Sequence, residues 1–175
     1  RTGFIEILKQ MGASIDFVNP RVVHGEDIAD WQAASSELKA IEIAGNQVVT
    51  MIDELPIFAV VATQAIGKTV VKNAEELRTK ESDRISETVR FLKGMGAAIE
   101  ETYDGFEIQG PTPLRAIAFP VTGDHRMAMA ATIAALMSCD QGPSRLSAEH
   151  LFNDSFPGFL EGFEKLIGET VFTSK

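Results

Sequence analysis

The sequence predicts a repeated α/β fold in which apolar helices are buried inside and sheets lie outside them. Three observations lead there. A helical segment that stops at a glycine occurs twice, as "LKQMGASI" from Leu8 and "LKGMGAAI" from Leu92, 84 residues apart. An aspartate followed by a wholly apolar helix also occurs twice, at Asp53 and Asp124, 71 residues apart. Strand-like pieces fall between these segments. A period of this size, with two helices and three or four strands in each copy, is the signature of a repeated supersecondary unit.

Taken in order, "FIEILKQMGASIDFV" (4–18) places Ile5, Leu8 and Met11 at helical spacing, stops at Gly12 and continues as a strand. "KAIEIAG" reads as a strand. "IDELPIFAVVATQAIG" reads as a helix with Asp53 as its N-cap, Pro56 in its first turn and Gly67 at its end. "KTVVKN" is a strand, and "ISETVRFLKGMGAAIEE" (85–101) repeats the first helix with Ile85, Val89, Leu92 and Met95 before Gly96. "FEIQG" and "AIAFPV" are strands, Asp124 opens the second apolar helix, and "FLEGFEKLIGETVF" is a weaker third copy of the helix–glycine segment. A helix with no polar face must be buried on all sides. The helix over 85–95 has a polar face and belongs on the outside.

Composition limits the function. The 175 residues carry a formal charge of −9, against general nucleic-acid binding, which needs a basic surface. One cysteine, Cys139, excludes an internal disulfide framework and suits a reducing, cytoplasmic compartment. His24, His125 and His150 are scattered with no metal-site spacing, so no metal or other cofactor is expected. No apolar run reaches the ~20 residues of a membrane span. The chain starts at Arg1 and passes straight into a helical pattern without a secretory leader, which reads as the C-terminal part of a longer protein.

The chemistry is concentrated at helix starts. "EELRTKESDRI" (75–85) puts Arg78, Lys80 and Arg84 just before or within the start of a helix, where the dipole disfavours cations unless an anion joins them. That anion is either a neighbouring carboxylate or a ligand. Lys80 and Arg84 are i, i+4, and Glu81 and Arg84 are i, i+3, so the three share a face. Arg126 lies two residues past Asp124 and can be satisfied by that aspartate or by a bound phosphate or carboxylate. The alternatives are an N-cap and salt-bridge reading of every one of these groups, or their convergence on one anion site. With the dipole alone considered, removing Arg84 or Arg126 should leave unliganded stability unchanged or raised.

The succession "SSELKAIEI", "IDELPIFAVVA", "ELRTKESDRI", "GDHRMAMA" and "SFPGF" resembles the 5-enolpyruvylshikimate-3-phosphate synthase family over nearly the whole chain. The resemblance implies an inside-out α/β barrel of βαβαββ units. It also implies that the chain is about two and a half such units of one domain in a two-domain, monomeric enzyme whose N-terminal half is absent. It further implies transfer of the enolpyruvyl group of phosphoenolpyruvate to the 5-hydroxyl of shikimate 3-phosphate. In that reading Asp53 is the proton acceptor and holds the ring hydroxyls, and Glu81 takes part in proton transfer at the methylene carbon. Lys80 contacts shikimate 3-phosphate, and Arg84 and Arg126 clamp phosphoenolpyruvate. Planar guanidinium forks suit carboxylate and phosphate.

One departure stands out. A lysine common in the family before "[ST]FP" is replaced in "FNDSFP" by Asn153 and Asp154, and either another cation supplies its charge or the site does without it. His125 is expected to be structural rather than catalytic, and Trp31, Tyr103 and Cys139 carry no functional reading. The competing readings are the sister transferase acting on UDP-N-acetylglucosamine, whose family lacks KESDR and GDHR in this form, and a phosphate-binding module without catalysis. Half of a two-walled site is expected to show no turnover by itself.

Overall fold

The structure is a computed structural model that describes residues 2–120, 123–138, 142–146 and 149–168. The chain runs α1 (Gly3–Gln10), β1 (Ser14–Val23), β2 (Glu26–Ala34), β3 (Glu42–Ile43), α2 (Asn46–Thr50), α3 (Leu55–Ala62), β4 (Gly67–Val71) and α4 (Arg84–Gly94). It continues with β5 (Ala98–Thr102), β6 (Gly105–Gly110), β7 (Ala118–Phe119), α5 (His125–Leu136), β8 (Arg145–Leu146), α6 (Glu149–Ser155) and α7 (Phe159–Ile167). Between Glu42 and Gly110 the order β3-α2-α3-β4-α4-β5-β6, with the short α2 leading into α3, makes one complete βαβαββ unit. Its sheet runs β3-β4-β6-β5, with β3 parallel to β4 and β6 antiparallel to both β4 and β5. The hairpin β1–β2 with α1 precedes it, and the parallel pair β7–β8 with α5, α6 and α7 follows it.

The sequence repeat is a geometric repeat. Gly12 (φ 101°) and Gly96 (φ 89°) end α1 and α4 in the left-handed region, which costs glycine least. Ala13 N donates to Leu8 O and Ala97 N to Leu92 O, both at 2.9 Å. After each hairpin the chain returns to the same place: Lys39 N donates to Met11 O at 2.8 Å and Arg115 N to Met95 O at 2.9 Å. The third copy gives α7 and ends on Gly168 (φ 76°); its strand portion lies outside the described residues.

The apolar helices α3 and α5 pack on each other at the centre. Leu55, Phe58, Ala59, Val60 and Ala62 of α3 are buried, as are Met127, Ala128, Ala130, Ala131 and Ala134 of α5. The small side chains of α5 let the two axes approach, since interaxial distance follows the size of the contact residues. Burying these side chains at roughly 25 cal/mol per Å² of apolar surface is what holds the helix starts in place. The outer helix α4 turns Ile85, Val89, Phe91 and Leu92 inward and leaves Arg90 and Lys93 exposed.

Three expectations are corrected. The first apolar helix starts at Leu55, not Asp53, because Ile52–Glu54 form a 3-10 turn and Glu54 takes the N-cap position without a side-chain cap bond. It ends at Ala62 rather than Gly67: Thr63 Oγ1 donates back to Val60 O at 2.7 Å, and Gly67 (φ 109°) begins β4. "KAIEIAG" contributes only the two-residue β3. The strand β2 had no apolar alternation to betray it; "EDIADWQAA" is paired because β1 lies beside it, from Ser14↔Ala34 to Val23↔Glu26.

Candidate functional site

Three segments far apart in sequence bring their charges to one point. At the start of α5, Asp124 Oδ1 accepts from the backbone of Arg126 at 3.0 Å and of Met127 at 3.4 Å, an N-cap in full. At the start of α4, Asp83 caps Ser86 N at 3.0 Å, which places Arg84 in the first turn of the helix. The 3-10 turn before α3 presents Asp53.

Arg84 is the hub. Its Nε donates to Asp124 Oδ2 at 2.9 Å, Nη1 to Asp53 Oδ1 at 3.3 Å and Nη2 to Glu81 Oε2 at 2.6 Å. Ser82 Oγ donates to Asp124 Oδ2 at 2.9 Å, and Arg126 Nη2 reaches Asp53 Oδ2 at 3.3 Å. The side chains differ sharply in access: Arg84 is 1% exposed and Asp124 0%, against 16% for Asp53, 36% for Arg126 and 50% for Glu81. Three carboxylates face two guanidiniums, so the cluster is net negative.

A second clamp fixes the loop that carries Lys80 and Glu81. Arg78 donates from Nε to Tyr103 O at 2.8 Å and from Nη2 to Thr102 O at 2.7 Å; its Nη1 meets Asp83 and Glu101, each at 2.9 Å. This ties the loop to the β5–β6 turn. Lys80 pairs with Glu76, one turn back in the 3-10 segment Glu75–Thr79.

Of the residues singled out in the sequence, Asp53, Glu81, Arg84 and Arg126 come together and Lys80 sits on the adjoining loop. Asp124 pairs with Arg84 across 40 residues, while its contact with Arg126 is to the backbone N–H. Sequence reading missed Ser82 and the Asp124–Arg84 pair, and it singled out Arg78 without its role as the clamp on the β5–β6 turn. Ser82 left a local signal, lying inside the KESDR element.

The model of the family described as "EPSP synthase (3-phosphoshikimate 1-carboxyvinyltransferase)" matches residues 1–163. The chain belongs to the EPSP synthase family. It is 44% identical over 166 residues to a 3-phosphoshikimate 1-carboxyvinyltransferase of Brevibacillus brevis, covering 95% of this chain and 38% of that protein. It is 46% identical over 167 residues to that of Thermodesulfovibrio yellowstonii, with the same two coverages. Among solved structures, EPSP synthase of Acinetobacter baumannii superposes over all of this chain and 40% of its own, with a TM-score of 0.91 and 39% identity. The enolpyruvyl transferase NikO of Streptomyces tendae, at 21% identity over 94% of this chain and 35% of its own and a TM-score of 0.70, shares the fold. The chain thus spans about two fifths of the length of these relatives, and its α/β architecture with buried helices is the enolpyruvyl transferase fold.

Within this EPSP synthase-family chain, the anions that join Arg84 at the start of α4 are neighbouring carboxylates, those of Asp53, Glu81 and Asp124. The protein's own carboxylates enclose it, so it is a buried ion-pair member and its removal leaves Asp124 uncompensated in the core. Burial pushes the Asp124 carboxyl up, but hydrogen bonds from Arg84 and Ser82, the Arg84 charge and the Arg126 backbone N–H together hold it below the usual carboxylate range. At Asp83 burial acts upward too, and the bonds from Ser86 and Arg78 outweigh it. No helix among the described residues is long and apolar enough to cross a membrane.

Proposed function

We propose that the chain is the C-terminal portion of an enzyme that transfers the enolpyruvyl group of phosphoenolpyruvate to the 5-hydroxyl of shikimate 3-phosphate and releases phosphate. The observation that carries this is the convergence of Asp53, Glu81 and Arg126 around Arg84, from separate segments, in a chain of this family. Support for the donor and acceptor comes from the family's description as a 3-phosphoshikimate 1-carboxyvinyltransferase. The parent is read as a monomeric cytoplasmic enzyme of the shikimate route that needs no cofactor.

The reaction removes a proton from a hydroxyl, adds one to a methylene carbon and gathers several anionic charges. It therefore needs a base, an acid and cations. Asp53 is the proton acceptor: it is the less buried of the two aspartates and is held by two guanidiniums rather than by a helix cap. Glu81 handles the proton at the methylene carbon, and its half-exposed carboxyl can leave Arg84 when a substrate anion arrives. Arg126 is the more accessible cation of the phosphoenolpyruvate clamp, and Arg84 backs it from the interior once Glu81 has moved. Lys80 exchanges Glu76 for the phosphate of shikimate 3-phosphate. Because the cluster is net negative, the remaining cations belong to the opposite wall, in the part of the parent not included in this sequence.

The test is phosphate release by the full-length parent with both substrates, and by this chain alone. The parent should turn over and the chain alone should not, because positioning by two walls is worth ~7–11 kcal/mol of barrier. Turnover by the chain alone would remove the split-site reading. A parent that binds phosphate but transfers nothing would make this an anion-binding module, and turnover with UDP-N-acetylglucosamine as acceptor would assign the sister reaction.

A further inference from the structure

Lys80 and Glu81 stand on a stretch with little regular structure of its own. The 3-10 segment Glu75–Thr79 ends where Lys80 turns extended (φ −78°, ψ −161°), and α4 begins at Arg84. A short surface connection of this kind holds its side chains in place only if something ties it down. On the 3-10 side Leu77 does so, buried in the core. The other tie is the Arg78 guanidinium.

Arg78 Nη1 donates to Asp83 Oδ2 at 2.9 Å, which closes a ring of chain around Lys80, Glu81 and Ser82. Asp83 is also the cap of α4, so one carboxylate fixes where the ring ends and where the helix starts. The remaining contacts of Arg78 leave the loop. Nε and Nη2 donate to Tyr103 O and Thr102 O, at 2.8 and 2.7 Å, and Nη1 meets Glu101 Oε1 at 2.9 Å. The β5–β6 turn is itself held from its far side: Asn73 N donates to Asp104 Oδ2 and Ala74 N to Asp104 O, both at 2.7 Å. A side chain at Gly105 would run into Val71 O, so the turn lies hard against the end of β4. Arg78 therefore refers the loop to the sheet.

With two carbonyls and two carboxylates of the protein around it, Arg78 is not a cation held in reserve for a substrate. We propose that Arg78 is a positioning residue of the site, whose guanidinium holds Lys80 and Glu81 at the places from which they act. The proposal rests on the transfer reaction assigned above to the parent. Arg84 and Arg126 depend on it less, because Asp53 and Asp124 anchor them from other segments. Lysine is no substitute: its ammonium carries all its donors at one point and cannot span acceptors spread along a planar fork.

The test is Arg78→Lys in the full-length parent. Its kcat should fall about 10–10²-fold, the scale of a misplacement of roughly 1 Å, and its KM for shikimate 3-phosphate should rise through Lys80. The KM for phosphoenolpyruvate should stay near the parent's. Amide exchange at 80–83 should quicken while α3 and α5 exchange as before. Asp83→Asn keeps a side-chain cap on α4 but removes a charge facing Arg78. It should show the same pattern at smaller size, and it decides the matter if Arg78→Lys does not fold. Unchanged kcat and KM, or exchange at 80–83 as slow as in the parent, would overturn the proposal. A loss of kcat matched by faster exchange throughout α3 and α5 would overturn it too, since that marks general destabilisation. A parent that transfers no enolpyruvyl group would sink the reaction reading instead, and exchange at 80–83 would still decide whether Arg78 holds the loop.

Discussion

Asp53 and Asp124 are twins in the sequence, each an acid placed just before an apolar helix, and the two helices end packed against each other. In the fold they diverge. Asp124 caps α5, takes hydrogen bonds from Ser82 and Arg84 and has no solvent exposure. Asp53 sits on a 3-10 turn ahead of the cap position of α3 and divides its oxygens between Arg84 and Arg126, with part of its side chain open. The difference teaches that the acid with every lone pair spoken for is scaffold. The one shared between two guanidiniums and partly open is fit to take a proton.

The comparison breaks most readily at Asp124. In the full-length parent Asp124→Ala should lose about 3–5 kcal/mol of stability in urea unfolding, because it takes the buried carboxylate from Arg84 Nε and the cap from α5. Arg84→Met should cost a similar amount, and the double variant should cost less than the sum by about 0.5–3 kcal/mol, as expected of one shared interaction. A loss near zero for either single variant would reduce Asp124 to an ordinary cap.

Asp53→Ala should do the reverse: turnover falls about 10²–10⁴-fold, with a smaller stability loss than Asp124→Ala shows. Steady-state phosphate release beside the same unfolding curves checks both halves. Turnover within a few-fold of the parent's would take the base role from Asp53.

The pH dependence sharpens the scaffold side. The Asp124 carboxyl is depressed in the folded state, so its contribution is complete above the unfolded value of about 4. It drains away as pH falls through the lower folded value. Stability measured from pH 6 down to pH 2 should therefore fall more steeply below about 4 in the parent than in Asp124→Asn. Parallel curves would show that Asp124 is not linked to folding.

The smallest effect belongs to Arg126→Met. A part-exposed ion pair is worth about 0–1 kcal/mol, so unfolding should barely change while the apparent affinity for phosphoenolpyruvate drops. A stability loss like that of Arg84→Met would make Arg126 a second buried strut.

How much of this was written in the sequence depends on how local its cause is. The helix–glycine repeat was legible because apolar spacing and a left-handed glycine act over a few residues, and Gly12, Gly96 and Gly168 all behave accordingly. The buried helices were legible because α3 has no polar face to give to water. Asp53, Lys80, Glu81, Arg84 and Arg126 could be named from their elements, and the family resemblance assigned their roles. Of their partners only the i, i+3 neighbour Glu81 of Arg84 could be named; those from other segments could not. Nothing near Arg84 in the sequence says that it faces Asp124, 40 residues away, rather than solvent or a ligand. Nor does the alternation of "EDIADWQAA" reveal β2, whose pairing depends on β1. Tertiary packing decided those points, because an ion pair or a strand edge is satisfied by whichever group the fold brings within about 3 Å, and only the stacking of α3, α4 and α5 fixes which group that is.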